Sequence, residues 1–156
     1  MITQAQRDHF DLLVERVIEV LPGAVRRAMD EVPIVVLDQP EPDMLRDLGI
    51  DPAEDDGLDI CGLHTGTMLT ERSHAEHPDE RLEVVHLFRI GIVLVAGGWK
   101  RGDRLHIELL ADGADFEPIG SGGDDAIAEQ IRVTILHEFG HHFGLDEDRL
   151  GELGYD

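Results

Sequence analysis

The alternation of apolar and polar positions predicts that the chain begins with an amphipathic helix. Thr3 and Gln6 have the spacing of a capping box, in which each side chain hydrogen-bonds to the backbone N–H of the other residue. The residues that follow repeat apolar side chains at helical spacing: Phe10, Leu13, Val14, Val17, Ile18 and Leu21. Pro22 interrupts this pattern, and we expect a short second helix over about 24–30.

The middle of the chain has the character of a sheet. The β-branched run at 32–37 predicts a strand, and 58–69, which two glycines interrupt, predicts two short extended pieces. The longest strand-like stretch is 82–95, and 105–110 is predicted to return as its hairpin partner. The charged segments between these runs, 39–57 and 71–81, are predicted as surface loops, the first with at most a helical turn.

The last predicted element is a long helix over about 126–143. The loop before it ends in Asp124 and Asp125, whose negative charge suits the positive end of a helix dipole. A core-facing side is formed by Ile127, Ile131, Ile135, Leu136, Phe139 and Phe143. Gly144 then stands where a left-handed residue commonly ends a helix, and a short acidic tail follows.

Composition narrows the class of protein. A chain of 156 residues is long enough for one domain with a hydrophobic core, and no apolar run approaches the ~20 residues of a membrane span. The net charge of −21 argues against nucleic acid and membrane as partners and is typical of a solvated acidic surface. The N-terminus lacks a secretory pattern and there is one cysteine, so a cytoplasmic protein is expected.

Candidate chemistry lies in the last helix. His137 and His141 are four residues apart, so their side chains emerge on one face and can bind one zinc ion at ~2.0–2.1 Å. Glu138 lies next to the first histidine, where a carboxylate can act as general base towards zinc-bound water. This His-Glu-x-x-His pattern predicts a zinc hydrolase site rather than an ordinary helix with two exposed histidines.

A catalytic zinc ion normally has three protein ligands and one open position. Gly144 allows the chain to turn sharply, and Glu147 then stands where metzincin-type sites carry the third ligand. We predict Glu147 as that ligand, with Asp148 and then Asp146 as alternatives, and a more distant side chain or water remains open.

The other histidines and the cysteine carry weaker signals. His142 lies about 100° around the helix from its neighbour, which favours a supporting or surface position over ligation. His74 and His77 fall in a predicted charged loop, and His64 is better explained by surface or strand packing than by a role in the cleft. Cys61 has no recognisable base partner and is interpreted as a small buried hydrophobe.

The segment 131–150, IRVTILHEFGHHFGLDEDRL, resembles the compact bacterial zincin-like metallopeptidases, also described as minimal zincins or acidic metalloproteases. Segments 32–38 and 62–73, the strand around Phe88 and the closing 150–155 agree with the same family in the same order. The resemblance therefore covers most of the chain.

This resemblance implies an α+β fold, in which a small twisted mixed sheet packs on an N-terminal helix and on a long C-terminal helix carrying the HExxH motif. It also implies that an edge strand, for which 62–70 is the candidate, borders the cleft and can pair with an extended peptide. We expect one domain over 1–156. The chain departs from the family in one place, where a hairpin or loop is predicted to be inserted at about 91–120. No methionine turn of the metzincin type follows the motif.

We therefore predict a zinc-dependent metallopeptidase in which zinc-bound water, activated by Glu138, attacks a peptide bond of a peptide or protein substrate. The predicted zinc ligands are His137, His141 and Glu147. The alternatives are a zinc-binding regulatory or interaction module without turnover, and hydrolysis of a non-peptide amide. Glu138 favours catalysis, because zinc binding alone does not require it.

Overall fold

The computed structural model describes residues 2–66, 82–102 and 118–155. The helices in these ranges are α1 (Gln4–Val20), α2 (Gly23–Ala28), α3 (Pro42–Asp47), α4 (Arg89–Ala96), α5 (Asp124–His142) and α6 (Glu147–Glu152). The strands are β1 (Ile34–Leu37), β2 (Gly62–Thr65) and β3 (Val84–Phe88). None of these helices is both long and apolar enough to cross a membrane.

The three strands form one mixed sheet in the order β1-β3-β2. β1 runs parallel to β3, with Val36 opposite Leu87, and β2 runs antiparallel to β3, with His64 opposite Val85. Among the described strands β2 is therefore an edge. α5 packs against this sheet and against α1 and α4, and these elements share one hydrophobic core. The fold is α+β, as the resemblance implied.

The two long helices confirm the periodicity of the sequence. α1 begins with the predicted capping box, since the Thr3 hydroxyl accepts from the Gln6 backbone N–H and the Gln6 side chain accepts from that of Thr3. Of the apolar positions that the spacing predicts within α1, Ile18 is partly buried and the other four are buried: Phe10, Leu13, Val14 and Val17. α5 begins at Asp124 and ends at His142, within two residues of the predicted bounds, and Gly144 follows with a φ of +83°. The prediction that Phe143 faces the core is wrong, because this residue caps the end of the helix and is 40% exposed.

The strand predicted over 82–95 is wrong in its second half. β3 ends at Phe88, and the chain passes directly into α4, which is capped by Gly97 in the left-handed conformation. Most of α4 is buried, so its sequence is apolar on every side and lacks the periodicity that distinguishes a helix from a strand. The first part of the predicted insertion at 91–120 is thus core helix, and residues 103–117 lie outside the described residues.

Two smaller helices lie where loop or tail was expected. α3 occupies part of the predicted loop 39–57, and α6 occupies the acidic tail. Asp146 caps α6 by accepting a hydrogen bond from the Arg149 backbone N–H, and Leu150 is fully buried. The predicted loop at 71–81 and the predicted hairpin partner at 105–110 lie outside the described residues.

Candidate metal centre and catalytic cleft

The helical spacing of α5 brings the two motif histidines together. The Nε2 atoms of His137 and His141 lie 3.1 Å apart, and both side chains are partly exposed. Two imidazole nitrogens that face each other at this distance can bind the same ion.

Glu147, the first residue of α6, brings a carboxylate to the same point. Its Oε1 lies 2.9 Å from His141 Nε2, and its Oε2 lies 3.5 Å from His137 Nε2. The approach depends on a tight turn through Gly144 and on close packing at Gly140, where a Cβ atom would lie 2.3 Å from Leu150 Cδ2. The sequence after the motif thus folds back so that α6 can present its first side chain to α5.

These donor atoms fit a zinc ion. The ligand atoms of His137, His141 and Glu147 all lie within 4.8 Å of one another. With bonds of ~2.0–2.1 Å, ligands around a tetrahedral zinc ion are separated by roughly 3.3 Å, close to the distances observed. Two imidazoles and one carboxylate are also a donor set that zinc commonly takes in catalytic sites.

The two other candidates for the third ligand, Asp146 and Asp148, do not join the two histidines. The Asp146 side chain is used as the cap of α6, 2.9 Å from the Arg149 backbone N–H. Among the described residues, Asp148 belongs to neither cluster of side chains that could hold a metal ion. The geometry therefore favours Glu147 among the three acids of this turn.

A backbone carbonyl group holds the His137 ring in place. Its Nδ1 lies 2.5 Å from the carbonyl oxygen of Tyr155, and a carbonyl can only accept, so Nδ1 carries the hydrogen. With the hydrogen on Nδ1, Nε2 is the nitrogen left to bind a metal ion, and it faces His141 and Glu147. A hydrogen bond of this kind fixes both the tautomer and the orientation of a metal-ligating histidine.

Glu138 lies on the buried side of the same turn of α5 and is 8% exposed. Burial raises the pKa of Glu138 to about 7. The electrostatic interaction with His137 and a hydrogen bond from the His64 backbone N–H partly oppose this rise, whereas Glu147 adds to it. Gly62 makes the close approach of β2 possible, because a Cβ atom there would lie 3.0 Å from Glu138 Cγ and 2.6 Å from Thr134 Cγ2. Edge strand β2 is thus in direct contact with the candidate catalytic carboxylate.

A cleft of about 300 Å³ opens beside Glu138. Its lining combines apolar side chains with a few polar ones: Asp59, Cys61, Gly62, Val95, Ile119, Gln130, Val133, Thr134, His137, Glu138 and Tyr155. Cys61 is half-buried in this wall, and burial raises the pKa of its thiol to about 12, with Asp59 adding to the effect. The cysteine therefore lines the cleft as a neutral thiol.

A second cluster of side chains that could bind a metal ion is formed by His64, Glu83 and His142. His64 Nε2 is 3.0 Å from Glu83 Oε2, and His142 Nδ1 contacts the same oxygen. The interpretation of His142 as a supporting residue agrees with this placement, but no motif in the sequence singles out Glu83. Its one signal is its position, since it is an acidic residue directly before the apolar strand β3.

Comparison with known proteins identifies a family that the chain matches. The sequence profile of the zincin-like metallopeptidase family matches residues 29–106 and 117–155 of the chain. The unmatched segment 107–116 falls inside the insertion predicted at 91–120, whereas 91–106 is within the match. No curated protein matches the chain.

Proposed function

Because the chain belongs to the zincin-like metallopeptidase family, we propose that it hydrolyses peptide bonds with a zinc ion held by His137, His141 and Glu147. The observation that carries this proposal is the convergence of three donor atoms within 4.8 Å, beside a buried glutamate and at the end of an open cleft. When bound there, zinc would polarise the substrate carbonyl and make water easier to deprotonate near neutral pH.

The proposed role of Glu138 is to move a proton. Its carboxylate lies in the cleft wall next to His137, within the same turn of helix. From this position it can take a proton from the attacking water as general base and return it to the nitrogen of the leaving amine as general acid. The hydrogen bond from the His64 backbone N–H holds the carboxylate on the side of β2, so that its proton-accepting oxygen keeps one orientation.

The cleft supports an extended peptide as the substrate. Val95, Ile119 and Val133 give it apolar surface, and Asp59 adds negative charge. β2 is an edge among the described strands, and an edge strand offers backbone groups with which an extended chain can pair. We infer a substrate segment in extended conformation that places an apolar side chain beside the scissile bond.

The test is digestion of a broad peptide library by the zinc-loaded protein and by its Glu138→Gln variant. Loss of the general base should lower the cleavage rate by ~10²–10⁴-fold while zinc is retained. Glu129→Gln is the matched control, because Glu129 lies on the same helix but is exposed and pairs with Arg132. We expect it to cleave at the wild-type rate.

Two results would contradict the proposal. Equal cleavage by zinc-loaded wild-type and Glu138→Gln protein would remove Glu138 from the mechanism. A zinc-loaded wild type that cleaves no peptide of the library would instead favour a zinc-binding module without turnover.

A further inference from the structure

Glu83 links two segments that are far apart in the sequence. It precedes β3, and its carboxylate contacts the ring of His64 on β2 and the ring of His142 at the end of α5. The side chains of His64, Glu83 and His142 are 6%, 0% and 2% exposed. A carboxylate this deeply buried requires hydrogen-bond donors or a cation, because the cost of removing it from water is otherwise too large.

The geometry of this cluster is that of hydrogen bonds. Both imidazole nitrogens approach the same oxygen, Glu83 Oε2, and the His64 contact measures 3.0 Å. Two imidazole N–H groups that donate to one carboxylate oxygen account for both contacts.

Each histidine of the cluster is adjacent to a part of the proposed active site. His142 directly follows His141, so fixing its ring fixes the last turn of the helix that carries the metal ligands. His64 holds Glu138 through its backbone N–H, so fixing its ring fixes the strand that orients the carboxylate. The metal ligand on one side and the general base on the other are thus connected through one buried carboxylate.

We propose that Glu83 is a positioning residue, which clamps β2 to the end of α5 through His64 and His142 and so sets the positions of His141 and Glu138. This inference rests on the proposed zinc site. Loss of the clamp should lower the affinity for zinc as well as the stability of the fold. A purely structural residue would lower only the stability. Changes to residues that support metal ligands typically cost ~10–100-fold in metal affinity or activity.

The test measures zinc affinity, by chelator competition, for wild-type protein and the Glu83→Gln variant. The amide has nearly the same shape but lacks the charge, and one of its two ends donates instead of accepting. We expect zinc to dissociate ~10–100-fold more readily from the variant. We also expect the absorption spectrum of the cobalt-loaded variant to differ from that of the wild type, because the ligand geometry changes.

Asp38→Asn is the matched control. Asp38 is a partly buried carboxylate that is held by Arg7 and Arg89 and lines a different pocket from the metal site. Its loss should lower the melting temperature but leave the zinc affinity and the cobalt spectrum unchanged. His64→Phe removes one arm of the clamp while keeping the backbone N–H, and it serves if Glu83→Gln does not fold.

Three outcomes would overturn the proposal. Zinc affinity and cobalt spectrum equal to wild type in a destabilised Glu83→Gln protein would show that Glu83 is merely structural. Two zinc ions per wild-type chain, with one lost in the variant, would show that the cluster is itself a metal site. A wild type that binds no zinc would remove the proposed function together with this inference, whereas the first two outcomes leave that function intact.

Discussion

The Nδ1 atom of His137 lies 2.5 Å from the backbone carbonyl oxygen of Tyr155, a residue 18 positions later in the sequence. This contact holds the imidazole in the tautomer that can bind zinc through Nε2. The segment after α6 therefore contributes to the proposed metal site through a backbone carbonyl group.

Removal of residues 155 and 156 should weaken zinc binding by ~10–100-fold, because His137 loses the acceptor that orients it. Tyr155→Ala is the control, since it removes the packed ring but keeps the carbonyl group. Chelator competition measures both. Equal loss of zinc affinity in the two proteins would assign the effect to the tyrosine ring rather than to the carbonyl oxygen.

Gly62→Ala should reduce peptide cleavage by roughly 10-fold or more without loss of zinc. The added Cβ atom would press on Glu138 Cγ and Thr134 Cγ2, and small displacements of a catalytic group are costly. Gly23→Ala is the control, because its Cβ atom would meet mainly the flexible end of Arg27. Cleavage by Gly62→Ala at the wild-type rate, with normal zinc content, would show that β2 does not constrain the carboxylate.

Much of the metal centre could be predicted from the sequence because it depends on local spacing. The i, i+4 relation of His137 and His141 is a property of any α-helix, and Gly144 marks the turn that returns the chain. The structure then brings Glu147 to both rings. The contacts of Glu83 with His64 and His142, and of the Tyr155 carbonyl with His137, could not be predicted. Both join segments that only the tertiary fold brings together.

The same reasoning explains the correct and wrong parts of the fold prediction. α1 is amphipathic and carries its own capping box, so its first residue and its buried face can both be predicted from the sequence. α4 is rich in Ile and Val and buried almost throughout, so its composition resembles that of a strand although it is a helix. Tertiary burial, rather than local preference, decides its conformation.

Asp38→Asn should destabilise the protein by about 1–3 kcal/mol, because Arg7 and Arg89 lose the carboxylate that both contact. The Arg7 guanidinium, with a smaller effect of Arg89, lowers the pKa of Asp38 below its usual value of 3.8. A lowered pKa contributes stability that is present above the usual value and is lost as the pH falls through the folded-state value.

The difference in melting temperature between wild-type and Asp38→Asn protein should therefore be largest near neutral pH and should shrink below about pH 3.8. Melting curves followed by circular dichroism across this range measure it. A difference that grows as the pH falls would contradict the predicted contribution of the carboxylate.

Native Cys61 should react with iodoacetamide at least ~100-fold more slowly than a free thiol at pH 8. Burial raises the pKa of the thiol to about 12, and the reactive thiolate becomes tenfold scarcer with each unit. Mass spectrometry of timed samples gives the rate, and the urea-unfolded chain is the control that should react normally. A native rate within tenfold of the unfolded one would show that the thiol is more accessible than its place in the cleft wall indicates.

The central claim is that His137, His141 and Glu147 hold one zinc ion beside Glu138. Anomalous diffraction at the zinc edge from crystals of the zinc-loaded protein tests it most directly. The account predicts one strong peak at ~2.0–2.2 Å from the two Nε2 atoms and a Glu147 oxygen. A peak on His64, Glu83 and His142 in its place, or no peak between the two motif histidines, would contradict it.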